Sequence, residues 1–142
     1  KVYNSTIPLQ DCHIVVLDDD ASVRQALTER LRAWGAYVSA VDSLEALDEL
    51  LQRVMSIDML VTDHRLCDGD GFQAIGLARA IHPQLAAMVI TGDTASAQLQ
   101  TLLSSGIPVL HKPFQADVLL AVIVLQLGGA QSGASEATAV NA

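Results

Sequence analysis

Short apolar runs alternate in this chain with longer stretches whose apolar residues recur at helical spacing. That alternation is the pattern of βαβ units and a parallel sheet. The runs are Cys12–Leu17, Tyr37–Val41, Met59–Thr62, Ala87–Thr91 and a short one at Pro108–Leu110. Between them, Val23, Ala26, Leu27, Leu31 and Trp34 fall on one helical stripe, with Asp20 as its N-cap and Gly35 as its stop. A second stripe holds Leu44, Leu47, Leu50, Leu51 and Val54, and Asp42 with Glu45 reads as its capping box. Phe72, Ile75, Ala78 and Ile81 mark a third helix. A fourth follows Gly92-Asp93 and ends at Gly106, and a fifth covers Ala116 to Leu127. Five β/α units in this order predict a doubly wound α/β fold with a five-stranded parallel sheet and five helices.

Residues 1–10 read as an N-terminal extension or linker, 11–127 as the folded domain, and 128–142 as a disordered Gly/Ala/Ser-rich tail. The chain has 142 residues, 51% of them hydrophobic, enough for one domain with a core and too apolar for a disordered chain. Its net charge of −8 argues against nucleic acid as a direct partner. The longest apolar run, Val118–Leu125, is too short to cross a bilayer, so no direct membrane contact is expected. Cys12 and Cys67 have no metal-pair spacing and read as reduced, incidental thiols of a cytoplasmic protein. The chain begins at Lys1, which fits a piece of a longer protein or a processed or trimmed start.

The chemistry lies where the strands end. In open α/β sheets ligands bind beyond the carboxyl ends of the strands. There this sequence places Asp18, Asp19 and Asp20 after the first strand, Asp63 after the third, Thr91 on the fourth and Lys112 after the fifth. Carboxylates gathered at one point repel unless a cation lies among them, and a hard divalent ion such as Mg²⁺ takes oxygen ligands. A carboxylate can act as a nucleophile toward phosphorus. An ammonium and a hydroxyl can then hold the other phosphoryl oxygens.

The segments IVVLDDD, LVTDHRLCDGDG, MVITGDT and HKPF, in that order and each at a predicted strand end, resemble the receiver domain of two-component signalling proteins over about Asp11 to Leu127. The resemblance implies a flavodoxin-like sheet of order 2-1-3-4-5. It implies that Asp63 accepts a phosphoryl group from a phosphohistidine with Mg²⁺, and that Asp18 and Asp19 are the acidic pair. It also implies Arg65 as a metal ligand through its backbone carbonyl, Thr91 as the switch hydroxyl, Lys112 as the phosphate-binding lysine and a cis bond before Pro113. The implied partners are a histidine kinase or a histidine phosphotransfer domain. DHRLCDGDG, ITGDT and LHKPF are also similar to the C-terminal receivers of hybrid sensor histidine kinases, whose parent chains can be membrane-anchored. That origin is favoured over a stand-alone response regulator. Val109 stands where the family usually has an aromatic residue, and Cys67 where it often has Pro. Arg65 and Asp93 flank the site, and a pair between them would restrict attack by water.

Rival readings attach to the same residues. Asp18-Asp19-Asp20-Ala21-Ser22 loosely resembles the first motif of haloacid-dehalogenase-like phosphohydrolases, with Asp18 as nucleophile and Asp20 as acid/base. That reading leaves Asp63 idle and lacks an acidic pair after Lys112. His64 and His111 read as bystanders. Asp68 and Asp70 do not make a calcium loop, because Phe72 falls at the next ligand position. Arg24 and Arg32 read as a solvated face, or as a docking face for the phosphohistidine partner. The Val118–Leu125 segment, apolar on all sides, reads either as ordinary burial or as a partner or homodimer surface with the fourth helix and fifth strand.

Overall fold

The computed structural model describes residues 7–92, 104 and 106–132. The predicted fourth helix, with Asp93, lies outside these residues apart from its last positions, as does the tail beyond Ser132. The strands are β1 (His13–Leu17), β2 (Tyr37–Val41), β3 (Met59–Asp63), β4 (Arg65–Leu66), β5 (Gly69–Asp70), β6 (Ala86–Thr91) and β7 (Val109–His111). The helices are α1 (Ala21–Ala33), α2 (Leu44–Arg53), α3 (Gly71–Ile81) and α4 (Ala116–Ser132). The main sheet is parallel and ordered β2-β1-β3-β6-β7, the topology that the sequence pattern and the resemblance predicted.

The two-residue period of a strand divides the core in two. Ile14, Val16, Met59, Val61, Ala86, Met88 and Ile90 face α1 and α4, where Leu27, Leu31, Leu119, Ile123 and Leu127 meet them. Val15, Leu17, Leu60, Ala87 and Val89 face α2 and α3, against Leu47, Leu50, Leu51, Ala74, Ile75 and Ala78. Strands buried on both faces read as continuous apolar runs for this reason.

Four details differ from the sequence reading. The N-cap of α2 is Ser43, whose hydroxyl accepts from Ala46 N at 3.1 Å, so Asp42 and Glu45 form no capping box. The loop after Asp63 contains a small antiparallel hairpin, β4–β5, with Cys67 and Asp68 at its tip. The last helix runs on through Gly128 to Ser132, because its glycines are followed by Ala130 and Gln131 rather than by a proline stop. Leu9, in the stretch read as a linker, is fully buried, and its amide donates to the Trp34 carbonyl at 2.9 Å.

On α4 the buried stripe is Leu119, Ile123 and Leu127, while Val118, Val124 and Leu125 are 43%, 45% and 63% exposed. Of the apolar segment Val118–Leu125, therefore, only part is covered among the described residues.

Leu60 is 1% exposed and Met55 94% exposed. Truncation of a buried leucine leaves a cavity that the neighbours fill only in part. Leu60→Ala should cost about 3 kcal/mol in denaturant unfolding. Met55→Ser should stay within about 0.5 kcal/mol of wild type. Equal losses would contradict this assignment of the core.

Candidate functional site

Sheet register brings the acids together. β1 pairs with β3 as Leu17↔Thr62, so one step further Asp18 stands beside Asp63. β3 pairs with β6 up to Asp63↔Ile90, and β6 with β7 up to Thr91↔His111, which leaves Lys112 next along the chain. The Lys112 amide donates to the Thr91 carbonyl at 2.8 Å, and the Lys112-Pro113 peptide is cis, as the resemblance implied.

Asp18, Asp19 and Asp63 each offer a carboxylate oxygen within 4.8 Å of the others. Asp18 is 1% exposed, and its Oδ1 accepts from Asp20 N at 2.9 Å. Asp18 Oδ2 is buried and accepts no hydrogen bond, while Lys112 Nζ lies 3.6 Å away. Lys112 Nζ also reaches Asp63 Oδ1 at 3.5 Å, and the His64 amide donates to that oxygen at 3.0 Å. One ammonium thus faces two carboxylates, with a third close by. The clustered oxygens and the orphaned Asp18 Oδ2 are a donor set that fits a hard divalent cation.

Burial pushes the Asp63 carboxyl above its ordinary range, and the Asp18 carboxylate adds to the effect. Lys112 and the His64 amide oppose it. Asp63 lines an open cleft of about 360 Å³ with Arg65, Thr91, Gly92 and Lys112. Thr91, 1% exposed, ends β6 at this cleft.

The floor beneath Asp63 requires a glycine. A Cβ on Gly71 would stand 2.7 Å from the Asp63 carbonyl oxygen, which is backbone and cannot swing away. Gly71 N donates to the His64 carbonyl and His64 N to the Ile90 carbonyl, both at 2.8 Å, which ties the turn after Asp63 to β6 and α3. The His64 ring packs edge-on against Phe72, with centroids 5.9 Å apart, a structural role.

Other candidates have local duties. Asp20 caps α1 as the sequence predicted, its Oδ1 accepting from Ser22 N at 2.9 Å and Val23 N at 3.2 Å. Arg24 Nη1 donates to the Asp18 carbonyl at 2.7 Å and Arg32 Nη2 to the Val38 carbonyl at 3.3 Å, so neither is simply a solvated cation. The Arg24 bond, unforeseen from sequence, anchors the acidic turn to α1. Val109 packs on the α2/α3 side of the sheet. Asp93, the supposed partner of Arg65, lies outside the described residues. Both cysteines are free.

Fold and site together define an α/β domain whose carboxyl edge gathers three carboxylates, with a hydroxyl and an ammonium at the adjoining cleft. A family model described as the response regulator receiver domain matches residues 14–124, and the chain belongs to that family, a phosphoacceptor domain of two-component signalling. The response regulator protein FleR of Pseudomonas aeruginosa is 29% identical over 124 residues, covering 87% of this chain and 26% of FleR. The transcriptional regulatory protein FixJ of Bradyrhizobium diazoefficiens is 30% identical over 129 residues, covering 89% of this chain and 62% of FixJ. The chain spans about a quarter of the length of several curated relatives it matches. Among solved structures, a response regulator receiver protein from Sinorhizobium medicae superposes with a TM-score of 0.75 at 29% identity, covering 87% of this chain and 99% of that one. No helix among the described residues is long and apolar enough to cross a membrane.

The raised Asp63 carboxyl has a consequence for stability. Between its unfolded and folded pKa values the folded state keeps a proton that the unfolded chain has lost. Stability from this group is therefore present at low pH and falls as pH rises through that window. In metal-free buffer near pH 7, Asp63→Asn should be more stable than wild type by roughly 1 kcal/mol. The gap should close as pH falls to about 4, near the ordinary carboxylate range. Thermal unfolding in EDTA across pH measures this, and a variant less stable than wild type at neutral pH would contradict it.

Proposed function

We propose that this receiver domain takes its phosphoryl group on Asp63. The observation that carries the proposal is the position of the Asp63 carboxylate, lining the open cleft with Thr91 and Lys112 while Asp18 and Asp19 stand beside it. A carboxylate oxygen of Asp63 attacks phosphorus, an O–P bond forms, and the N–P bond to the donor imidazole breaks. Asp18, Asp19, Asp63 and the Arg65 backbone carbonyl would hold Mg²⁺, which supplies charge neutralisation for the phosphoryl oxygens when bound. Lys112 leaves its ion pair with Asp63 to meet a phosphoryl oxygen, and the Thr91 hydroxyl donates to another. Water later attacks phosphorus and the O–P bond to Asp63 breaks, releasing inorganic phosphate. The modification adds roughly −1.5 to −2 charge at one strand end, which draws Lys112 and Thr91 toward it. With aliphatic Val109 in place of an aromatic ring, the Thr91 hydroxyl and the Lys112 ammonium carry the report of that charge.

The phosphoryl donor is a histidine kinase or a histidine phosphotransfer domain. For the parent protein, the DHRLCDGDG and LHKPF wording supports a hybrid kinase. The relatives named response regulators support a regulator instead. The exposed Val118, Val124 and Leu125 support self-association through α4.

With Mg²⁺ and a small-molecule phosphodonor, wild type should label. Asp63→Asn should lose the label, and Asp18→Asn and Lys112→Ala should label at least tenfold more slowly. Label retained in Asp63→Asn and lost in Asp18→Asn would transfer the nucleophile to Asp18. Sedimentation of the BeF₃⁻-loaded protein reads the surface of α4: a monomer at high concentration, with and without BeF₃⁻, removes self-association.

A further inference from the structure

The hairpin that follows Asp63 is fastened at its tip to a helix remote in sequence. Asp68 Oδ1 accepts from Leu44 N at 3.0 Å and Oδ2 from Glu45 N at 3.2 Å. With Ser43 taking Ala46 N, the first three amides of α2 are all satisfied, two of them by the hairpin. Gly69, beside Asp68, lies so close to the Leu44 side chain that a Cβ there would collide with Leu44 Cδ1 and Gln73 Oε1. The other arm is fixed to α3: Asp70 accepts from Gln73 N at 2.9 Å, and Gln73 Oε1 accepts from Asp70 N at 3.0 Å. Leu66 is buried in the core between these helices. The hairpin is thus held between the N-termini of α2 and α3. Arg65, paired with Asp70 across the hairpin, begins it two residues after Asp63. Nothing longer than Leu66 and Cys67 separates Arg65 from the Asp68 clamp.

We propose that Asp68 is a positioning residue for the cation site: by clamping the hairpin onto the N-terminus of α2, it sets where the Arg65 carbonyl and the Asp63 carboxylate stand relative to Asp18 and Asp19. This rests on the proposed Mg²⁺ site. The Leu44 amide, and more weakly the Glu45 amide, also hold the Asp68 carboxyl below its ordinary range, as expected for an engaged cap. A residue that only capped α2 would affect stability and leave the site alone. Ser43 supplies that comparison, because its hydroxyl caps the same helix at Ala46 N, within α2's own first turn.

The test is Mg²⁺ binding by titration calorimetry with no phosphodonor present, with thermal unfolding alongside, on the full chain. Asp68→Ala should weaken Mg²⁺ about tenfold, in the range seen when a residue supporting a metal ligand is removed. Asp68→Asn, which keeps one acceptor oxygen, should fall between it and wild type. Ser43→Ala should lower the melting temperature and leave Mg²⁺ affinity unchanged. Wild-type affinity in both Asp68 variants would overturn this inference alone, as would equal weakening in Asp68→Ala and Ser43→Ala. A wild-type protein that bound no Mg²⁺ would overturn the proposed metal site and this inference with it.

Discussion

Three carboxylates brought to one half-buried edge must be compensated, and much else in this structure follows from how that is done. Asp18, Asp19 and Asp63 offer oxygens within 4.8 Å of one another, and the described cation among them is Lys112, 3.5 Å from Asp63 and 3.6 Å from Asp18. Asp18 Oδ2 accepts no hydrogen bond, and burial, with the Asp18 charge beside it, makes Asp63 harder to ionise despite Lys112. Like charges at this edge therefore repel one another. On the proposed function, a divalent cation would relieve that repulsion and a phosphoryl group would give Lys112 a new partner. The same repulsion that costs stability would then favour both metal binding and the proposed response to phosphorylation.

That edge depends on register. Leu17↔Thr62 and Asp63↔Ile90 place the acids side by side, and a slip of one residue would turn Asp18 and Asp63 to opposite faces of the sheet. The division of each strand between two cores fixes the register, because Leu60 cannot exchange places with Met59 or Val61 without moving from one helical layer to the other. Backbone bonds through His64 and the close approach of Gly71 to the Asp63 carbonyl then hold the turn.

The fold was legible because the sheet is buried on both faces. Runs such as Ile14-Val15-Val16-Leu17 have no other economical burial, and the helical stripes between them set the connections. The four motifs identified the family, and the structure brings Asp18, Asp19 and Asp63 together as they implied, with Thr91 and Lys112 at the same cleft. Other features were not legible, for identifiable reasons. Ser43 displaced Asp42 as the α2 cap because the choice depends on where β2 ends in space. The β4–β5 hairpin has two-residue strands, too short for periodicity to register. Asp68 caps a helix that begins 24 residues earlier, and no local spacing reports that contact. The Arg24 bond to the Asp18 carbonyl is hidden likewise, since a long side chain on a polar stripe looks solvated until its target is in place.

Chemical trapping reads out whether Asp63 is the nucleophile. Protein phosphorylated with Mg²⁺ and a small phosphodonor is reduced with borohydride, which converts an aspartyl phosphate to homoserine, and the product is mapped by peptide mass spectrometry. Homoserine is expected at position 63, with intact aspartate at 18, 19 and 20. Homoserine at position 18, or a label that survives without any aspartate being converted, would contradict it.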